Sequence, residues 1–356
     1  MPPVPVVPAW NQVVGRQITI EEDERALWNE AKEQRAHLEK DGHLVTAPEL
    51  TAYLNGILAR LLLDPLPEEA PRPQVWVVRG TERNATTMAD GTILVSTSLL
   101  ATLENEAQLA GLLGHELGHF TARHNLLQKR FEAVSRSTVV RMQLSRNNEA
   151  YCDRFSLDVV QRAGYDPRQT VQVLELTGED ADRRSGPYEF RSHPFTEERL
   201  RDLQRALRVA PGESPKAAVR ATEYAHAIVT VLPVAAEIEL REGLVGRASS
   251  TIARLLALQP DSGRAYYLKA ELIRLTAPEG RLAADARLAY EHAVELAPDD
   301  PDAVRALGLL YYDSGEVTRA RPLLQTYLRL TPGAADRKLV ERYLAAEREG
   351  ATNLAH

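Results

Sequence analysis

Apolar residues recur every three to four positions through most of this chain, and such runs read as helices. Over residues 21–40, Ala26, Leu27, Ala31 and Leu38 share one side of a charged segment. From Pro48 onward, Tyr53, Leu54, Ile57, Leu58 and Leu61 do the same. The longest stripe runs Leu99, Leu100, Leu103, Ala107, Ala110, Leu113, Leu117, Phe120. Within it, Asn105 with Gln108 three residues on resembles a capping box, which predicts a helix start there. Leu157 and Val160 continue another helix that Gly164 and Pro167 stop. Strand-like stretches are few and short, with Val75, Trp76, Val77 and Val78 in residues 74–79 and Ile93 to Val95 in 92–95. The pattern predicts an α+β domain, mostly helical, with a small sheet.

From about residue 213 the pattern becomes periodic. Pro260, Pro298 and Pro332 recur at spacings of 38 and 34, each closing a helical pair. A period near 34 is that of the tetratricopeptide repeat. In the last unit Leu307, Gly308 and Tyr311 sit on the first helix, Gly315 at the turn and Ala320 on the second. Ala286, Tyr290 and Ala293, and earlier Ala248, hold the matching second-helix positions. The expected organisation is a Pro-rich, disordered tail over 1–20, the α+β domain over 21–212, and an α-helical solenoid of about three repeats plus a capping helix over 213–350. Repeats of this kind form a groove, predicted to hold a protein partner.

Composition narrows the classes. With 356 residues, 44% hydrophobic and 26% charged, the chain can build a core in each domain. A net charge of −7 without a basic cluster argues against nucleic acid. No apolar run approaches the ~20 residues of a membrane span. One cysteine excludes an intrachain disulfide. The N-terminus has neither a charged segment nor an apolar run of a secretory signal, and reads as the start of a trimmed chain.

Chemistry enters at His115-Glu116-Leu117-Gly118-His119. Histidines four apart on a helix lie about 40° apart around the axis, so both rings can reach one ion. Glu116 projects about 100° from His115, which leaves it free to hold a water as general base. Gly114 and Gly118 each cost about 1 kcal/mol in a helix, so another backbone or a substrate is expected to approach closely there. A zinc ion needs a third protein ligand. Thirty residues on, Glu149 and Asp153 stand i, i+4 on a second helical segment.

These features resemble the gluzincin metallopeptidases of the HtpX and CAAX-prenyl-endopeptidase type, in their soluble, BepA-like branch. Four motifs match in order. They are Asn84-Ala85 with Gly91 to Val95; the pentapeptide continuing through Phe120-Thr121-Ala122-Arg123-His124; Glu149 to Asp153, running into Ala163 to Pro167; and Ser192-His193-Pro194 with Arg199-Leu200. The resemblance covers roughly residues 45 to 205. It implies one zinc per chain on His115, His119 and Glu149, Glu116 as general base, and Asp153 orienting a ligand histidine. It gives His193 either an oxyanion-stabilising role or that of a fourth, resting-state ligand. It makes strand 92–95 an edge to which an extended substrate adds, through Asn84, Gly91, Ile93 and Val95. Two positions depart from the pattern: Cys152 stands where Ala is usual, and Ala89-Asp90 where Pro-Gly is common. Cys152 reads as a small buried hydrophobe rather than a metal thiolate. Residues 178–195, rich in charge, Gly and Pro, are expected to form a mobile lid. The implied function is zinc-dependent endopeptidase action on unfolded or misassembled envelope proteins, in a periplasmic or otherwise extracytoplasmic location. The alternative is a chaperone or adaptor working through its repeats, with a dormant peptidase site.

Overall fold

The computed structural model describes residues 5–15, 20–183, 197–209, 218–277 and 282–352. It divides into two compact units, Met1–Val231 and Leu232–His356. The first unit runs α1 (Trp10–Val13), α2 (Glu22–Lys40), α3 (Pro48–Leu61), β1 (Gln74–Val78), β2 (Ala85–Thr87), β3 (Thr92–Ser96), α4 (Thr97–Thr102), α5 (Glu106–Thr121), α6 (His124–Val134), α7 (Thr138–Arg162), α8 (Arg168–Arg183), α9 (Glu197–Val209) and α10 (Ala221–Ile228). Helices dominate and the sheet has three strands, as the periodicity predicts.

The sheet order is β1-β3-β2, with β3 parallel to β1 and antiparallel to β2. This corrects the edge-strand expectation. Residues 92–95 lie in the central strand, every residue of β3 is buried, and Ile93 and Val95 are fully so. Gly91 turns into the strand at φ +80, where a Cβ would lie 2.9 Å from Pro73 Cα. Asn84 is also committed to pairing, since its carbonyl accepts the Ser96 N–H at 3.1 Å. An apolar centre, Ile93 to Val95, is what pairing on both sides and packing on both faces would select. The edge beside α5 is β2. In its antiparallel ladder Asn84, Thr86 and Met88 face β3, so Ala85 and Thr87 turn their backbone groups outward.

The N-terminal segment is likewise ordered where it carries tryptophan. Trp10 is buried between Trp28 and Phe120, beneath the Arg123 guanidinium at 4.3 Å from its ring. Arg123 also donates to the Pro8 carbonyl at 3.1 Å and pairs with Glu24. A proline-rich composition predicts disorder, but one aromatic anchor over a cation and two rings outweighs it here.

The α5 helix starts at Glu106. Asn105 accepts the Gln108 N–H at 2.9 Å, while Gln108 reaches back to the N–H of Glu104 rather than of Asn105. Leu99 and Leu100 belong to the short α4, separated from α5 by an extended Leu103. Buried Glu106 anchors this helix start. It accepts from Tyr53 and Tyr165 at 2.6 Å, from Arg60 at 2.7 Å and from Arg220 at 3.0 Å. Burial pushes its carboxyl up, but the two tyrosine hydroxyls and the two guanidinium charges prevail and hold it below the usual range. A depressed folded-state value contributes stability above the unfolded carboxylate value of about 4.3 and loses it as pH falls through the folded one. Glu106→Gln is expected to cost about 2–3 kcal/mol at pH 7 and less in acid. Urea unfolding at pH 7 and pH 3 checks this, because the gap between wild type and variant must narrow.

The second unit starts later than the expected residue 213. Ala218 bridges to Tyr165, Arg220 pairs with Glu106, and the Tyr224 hydroxyl donates to the Leu100 carbonyl at 2.7 Å, so the segment through α10 packs with the first unit. From Leu232 the helices pair as α11 (Leu232–Arg241) with α12 (Val245–Leu258), α13 (Gly263–Thr276) with α14 (Leu282–Leu296), and α15 (Pro301–Asp313) with α16 (Val317–Leu330). The last helix, α17 (Arg337–Thr352), packs on α16. Ala248, Ala286 and Ala320, the small second-helix positions, are all fully buried.

Candidate metal centre

The site is built on the crossing of α5 and α7. Glu149, Cys152, Asp153 and Ser156 fall i, i+3, i+4, i+7 along α7 and are buried. They meet α5 at its two glycines. A Cβ on Gly118 would lie 3.1 Å from Cys152 Cα, and one on Gly114 would lie 3.0 Å from Ser156 Oγ. The close approach expected at these glycines is thus that of a second helix backbone, and it sets the two helices at ligand-sharing distance.

Three donor atoms converge there. His115 Nε2 and His119 Nε2 are 3.3 Å apart, and the Glu149 carboxylate oxygens lie 3.3 Å from His115 Nε2 and 3.4 Å from His119 Nε2. Metal–ligand bonds of about 2.0–2.1 Å at tetrahedral angles separate neighbouring donors by roughly 3.3 Å, so the donor set fits zinc with one position left over. Asp153 Oδ1 lies 3.0 Å from His115 Nδ1, which directs that ring's Nε2 into the site. Glu116 is not one of these three donors. Its Oε2 accepts from the Thr87 hydroxyl at 2.7 Å, and it is almost wholly buried. The Asn125 amide donates to the Thr87 carbonyl at 3.0 Å, tying β2 to the same corner.

Three residues matter more than the motifs alone indicate. Arg199 lies buried between two carboxylates, at 2.9 Å from Glu149 Oε2 and 2.7 Å from Asp153 Oδ1. His124 presents Nδ1 to His119 Nδ1 at 3.1 Å. Thr87 fixes Glu116. Arg199 and His124 stand inside matching motifs but carry no chemical label there, and nothing in local spacing marks Thr87. His193 lies outside the described residues, as does the expected lid from 184 onward; residues 178–183 continue the backbone of α8. Asp90, at the departure before Gly91, is buried, accepts the Thr92 N–H at 3.0 Å and pairs with Arg35 at 3.3 Å.

Electrostatics couple the site to pH. Burial disfavours a charged His115, but hydrogen bonds to Asp153 and Glu149 and their charges outweigh it and raise the imidazole to about 10. Without metal His115 is therefore an imidazolium at neutral pH, and zinc must expel its Nε2 proton. The metal-free form binds one proton more than the loaded form, so zinc affinity rises with pH. Between pH 6 and 8 it is expected to rise about tenfold per unit. Competition against a chelator of known affinity at three pH values checks this, and a flat profile would refute it.

An α5–α7 crossing with two imidazoles, a carboxylate and a separate buried glutamate is the arrangement that the gluzincin resemblance implies. Residues 48–140 and 126–207 match peptidase family M48, and residues 279–335 match the tetratricopeptide repeat, so the chain carries an M48 peptidase domain followed by repeats. Among curated proteins it is similar to the beta-barrel assembly-enhancing protease of Escherichia coli (strain K12), 27% identical over 203 residues, covering 47% of this chain and 41% of that protein. It is also similar to the mitochondrial metalloendopeptidase OMA1 of Arabidopsis thaliana, 31% identical over 152 residues, covering 37% and 31%. A third is the metalloprotease YcaL of E. coli (strain K12), 28% identical over 156 residues, covering 36% and 59%. The chain thus spans less than half the length of the beta-barrel assembly-enhancing protease it matches.

Proposed function

We propose that this chain is a zinc-dependent endopeptidase that hydrolyses peptide bonds of unfolded or misassembled proteins of the cell envelope. The observation that carries this is the convergence of His115, His119 and Glu149 at tetrahedral separations beside a Glu116 that is not one of the three converging donors. Zinc, when bound, supplies a Lewis acid that polarises the scissile carbonyl and acidifies water. Glu116, held by Thr87, takes the proton of the attacking water and delivers it to the leaving amine. Asp153 keeps His115 in the productive tautomer. An extended substrate would add to β2 at Ala85, whose backbone groups turn outward, using pairing that ignores side-chain identity, while Asn125 holds the Thr87 carbonyl. His193 keeps the two roles that its motif implies. The similarity to the beta-barrel assembly-enhancing protease supports an extracytoplasmic location and envelope substrates, and among the described residues no helix is long and apolar enough to cross a membrane. The repeats would present the substrate or a protein partner.

The direct test is cleavage of a reduced, unfolded model protein. Activity is expected to vanish on treatment with 1,10-phenanthroline and to return with about one equivalent of zinc per chain. Absence of cleavage at every zinc loading would overturn the reading and leave the repeats as the working part.

A further inference from the structure

Behind the zinc triad, on the other edge of the His119 ring, lies a second set of donors. His119 Nδ1 and His124 Nδ1 are 3.1 Å apart, and Cys152 Sγ lies 3.6 Å from that same His124 nitrogen. His119, His124 and Cys152 each offer a donor atom, all within 4.8 Å of one another. Around a four-coordinate ion with nitrogen bonds of about 2.0–2.1 Å and a sulfur bond of about 2.3 Å, adjacent N···N and N···S separations are roughly 3.3 and 3.6 Å. The observed pair comes close to both values. The thiol is fully buried against Gly118, and this is the position where the matching motif has alanine. His124 is buried too, its ring edge-on to Tyr151 at 5.7 Å.

We propose that His119, His124 and Cys152 form a second, thiophilic metal site that competes with the zinc triad for His119. A neutral imidazole has one lone pair and one N–H. With the lone pair on Nε2, His119 serves the triad; with it on Nδ1, it serves the second site. One ring cannot do both while neutral, so occupancy of one site weakens the other. Two imidazoles and a thiolate favour soft ions, and Cu(I) or Cd(II) suits them better than a hard oxygen-seeking ion. Binding forms a metal–sulfur bond, releases the Cys152 thiol proton to solvent, and changes no oxidation state. A soft ion seated there would switch the peptidase off by removing His119 from zinc.

The test uses the full chain, stripped of metal and kept reduced, titrated with Cd(II) while the ultraviolet cadmium–thiolate absorption is read. Cys152 is the only cysteine, so any such band reports this thiol. Wild type is expected to saturate at one band per chain. Glu149→Gln, which lacks a triad ligand but none of the second set, is expected to keep the band, which separates this inference from the zinc-peptidase reading. Cys152→Ala should lose it, and His124→Ala should need at least tenfold more Cd(II). In wild type, added zinc should shift the Cd(II) midpoint upward, and in Glu149→Gln that shift should shrink. The zinc shift also decides the matter if His124→Ala fails to fold. No band in wild type at saturating Cd(II), an undiminished affinity in folded His124→Ala, or a Cd(II) midpoint indifferent to zinc would overturn the proposal.

Discussion

Glu116→Gln is expected to lower the turnover of peptide hydrolysis by about 10²–10⁴-fold while the chain still binds one zinc. The split follows from the geometry. Glu116 is not among the three converging donors; its carboxylate accepts from Thr87, and the amide of Gln can still accept that hydroxyl. The substitution therefore keeps shape and packing but removes the carboxylate assigned to accept a proton. Zinc content measured on the same sample as the rate decides between causes. Lost activity with zinc retained marks a general base. Joint loss of both would mean that Glu116 holds the metal site together, and unchanged turnover would remove it from the reaction. A Thr87→Val comparison should show a smaller loss, since it removes one hydrogen bond to the carboxylate and leaves the carboxylate in place.

The convergence of His115, His119 and Glu149 was legible in the sequence because it is local to two helices. His115 with His119, and Glu149 with Asp153, are i, i+4 pairs whose geometry the helical period alone dictates. Gly114 and Gly118 announced the close crossing for the same reason. Sheet order was not legible, because pairing β1 with β3 is a non-local choice, and a buried apolar strand looks alike whether it is central or at an edge. That is why Ile93 and Val95 were expected at an edge that belongs to β2. Trp10 shows the opposite failure, where proline content hid a single anchored aromatic. The domain boundary shifted from 213 to 232 because Arg220 and Tyr224 bind partners more than a hundred residues earlier, which no composition change marks.

Arg199→Ala is expected to destabilise the metal-free protein by about 3 kcal/mol, the cost of leaving two buried carboxylates with His115 as their one remaining cationic partner among the described residues. Arg199 donates through Nε to Asp153 Oδ2 at 2.8 Å and through a second nitrogen to Oδ1 at 2.7 Å, and it also reaches Glu149. Burial pushes the Asp153 carboxyl up, but the Arg199 and His115 hydrogen bonds hold it below the usual range. Its contribution is therefore present above the unfolded carboxylate value and lost as pH falls through the folded one. Without Arg199 the Asp153 carboxyl moves up, and the acid loss of stability moves toward neutral pH. Zinc brings two positive charges to Glu149, so the loaded variant should recover much of the deficit, and zinc should stabilise the variant more than the wild type. Arg199→Lys keeps the charge but cannot fork onto two carboxylates, and should fall between. Urea unfolding with excess chelator and with excess zinc reads all three proteins. If metal-free Arg199→Ala matches wild type, or if zinc stabilises both equally, the guanidinium is not what holds Glu149 and Asp153 ready for the ion.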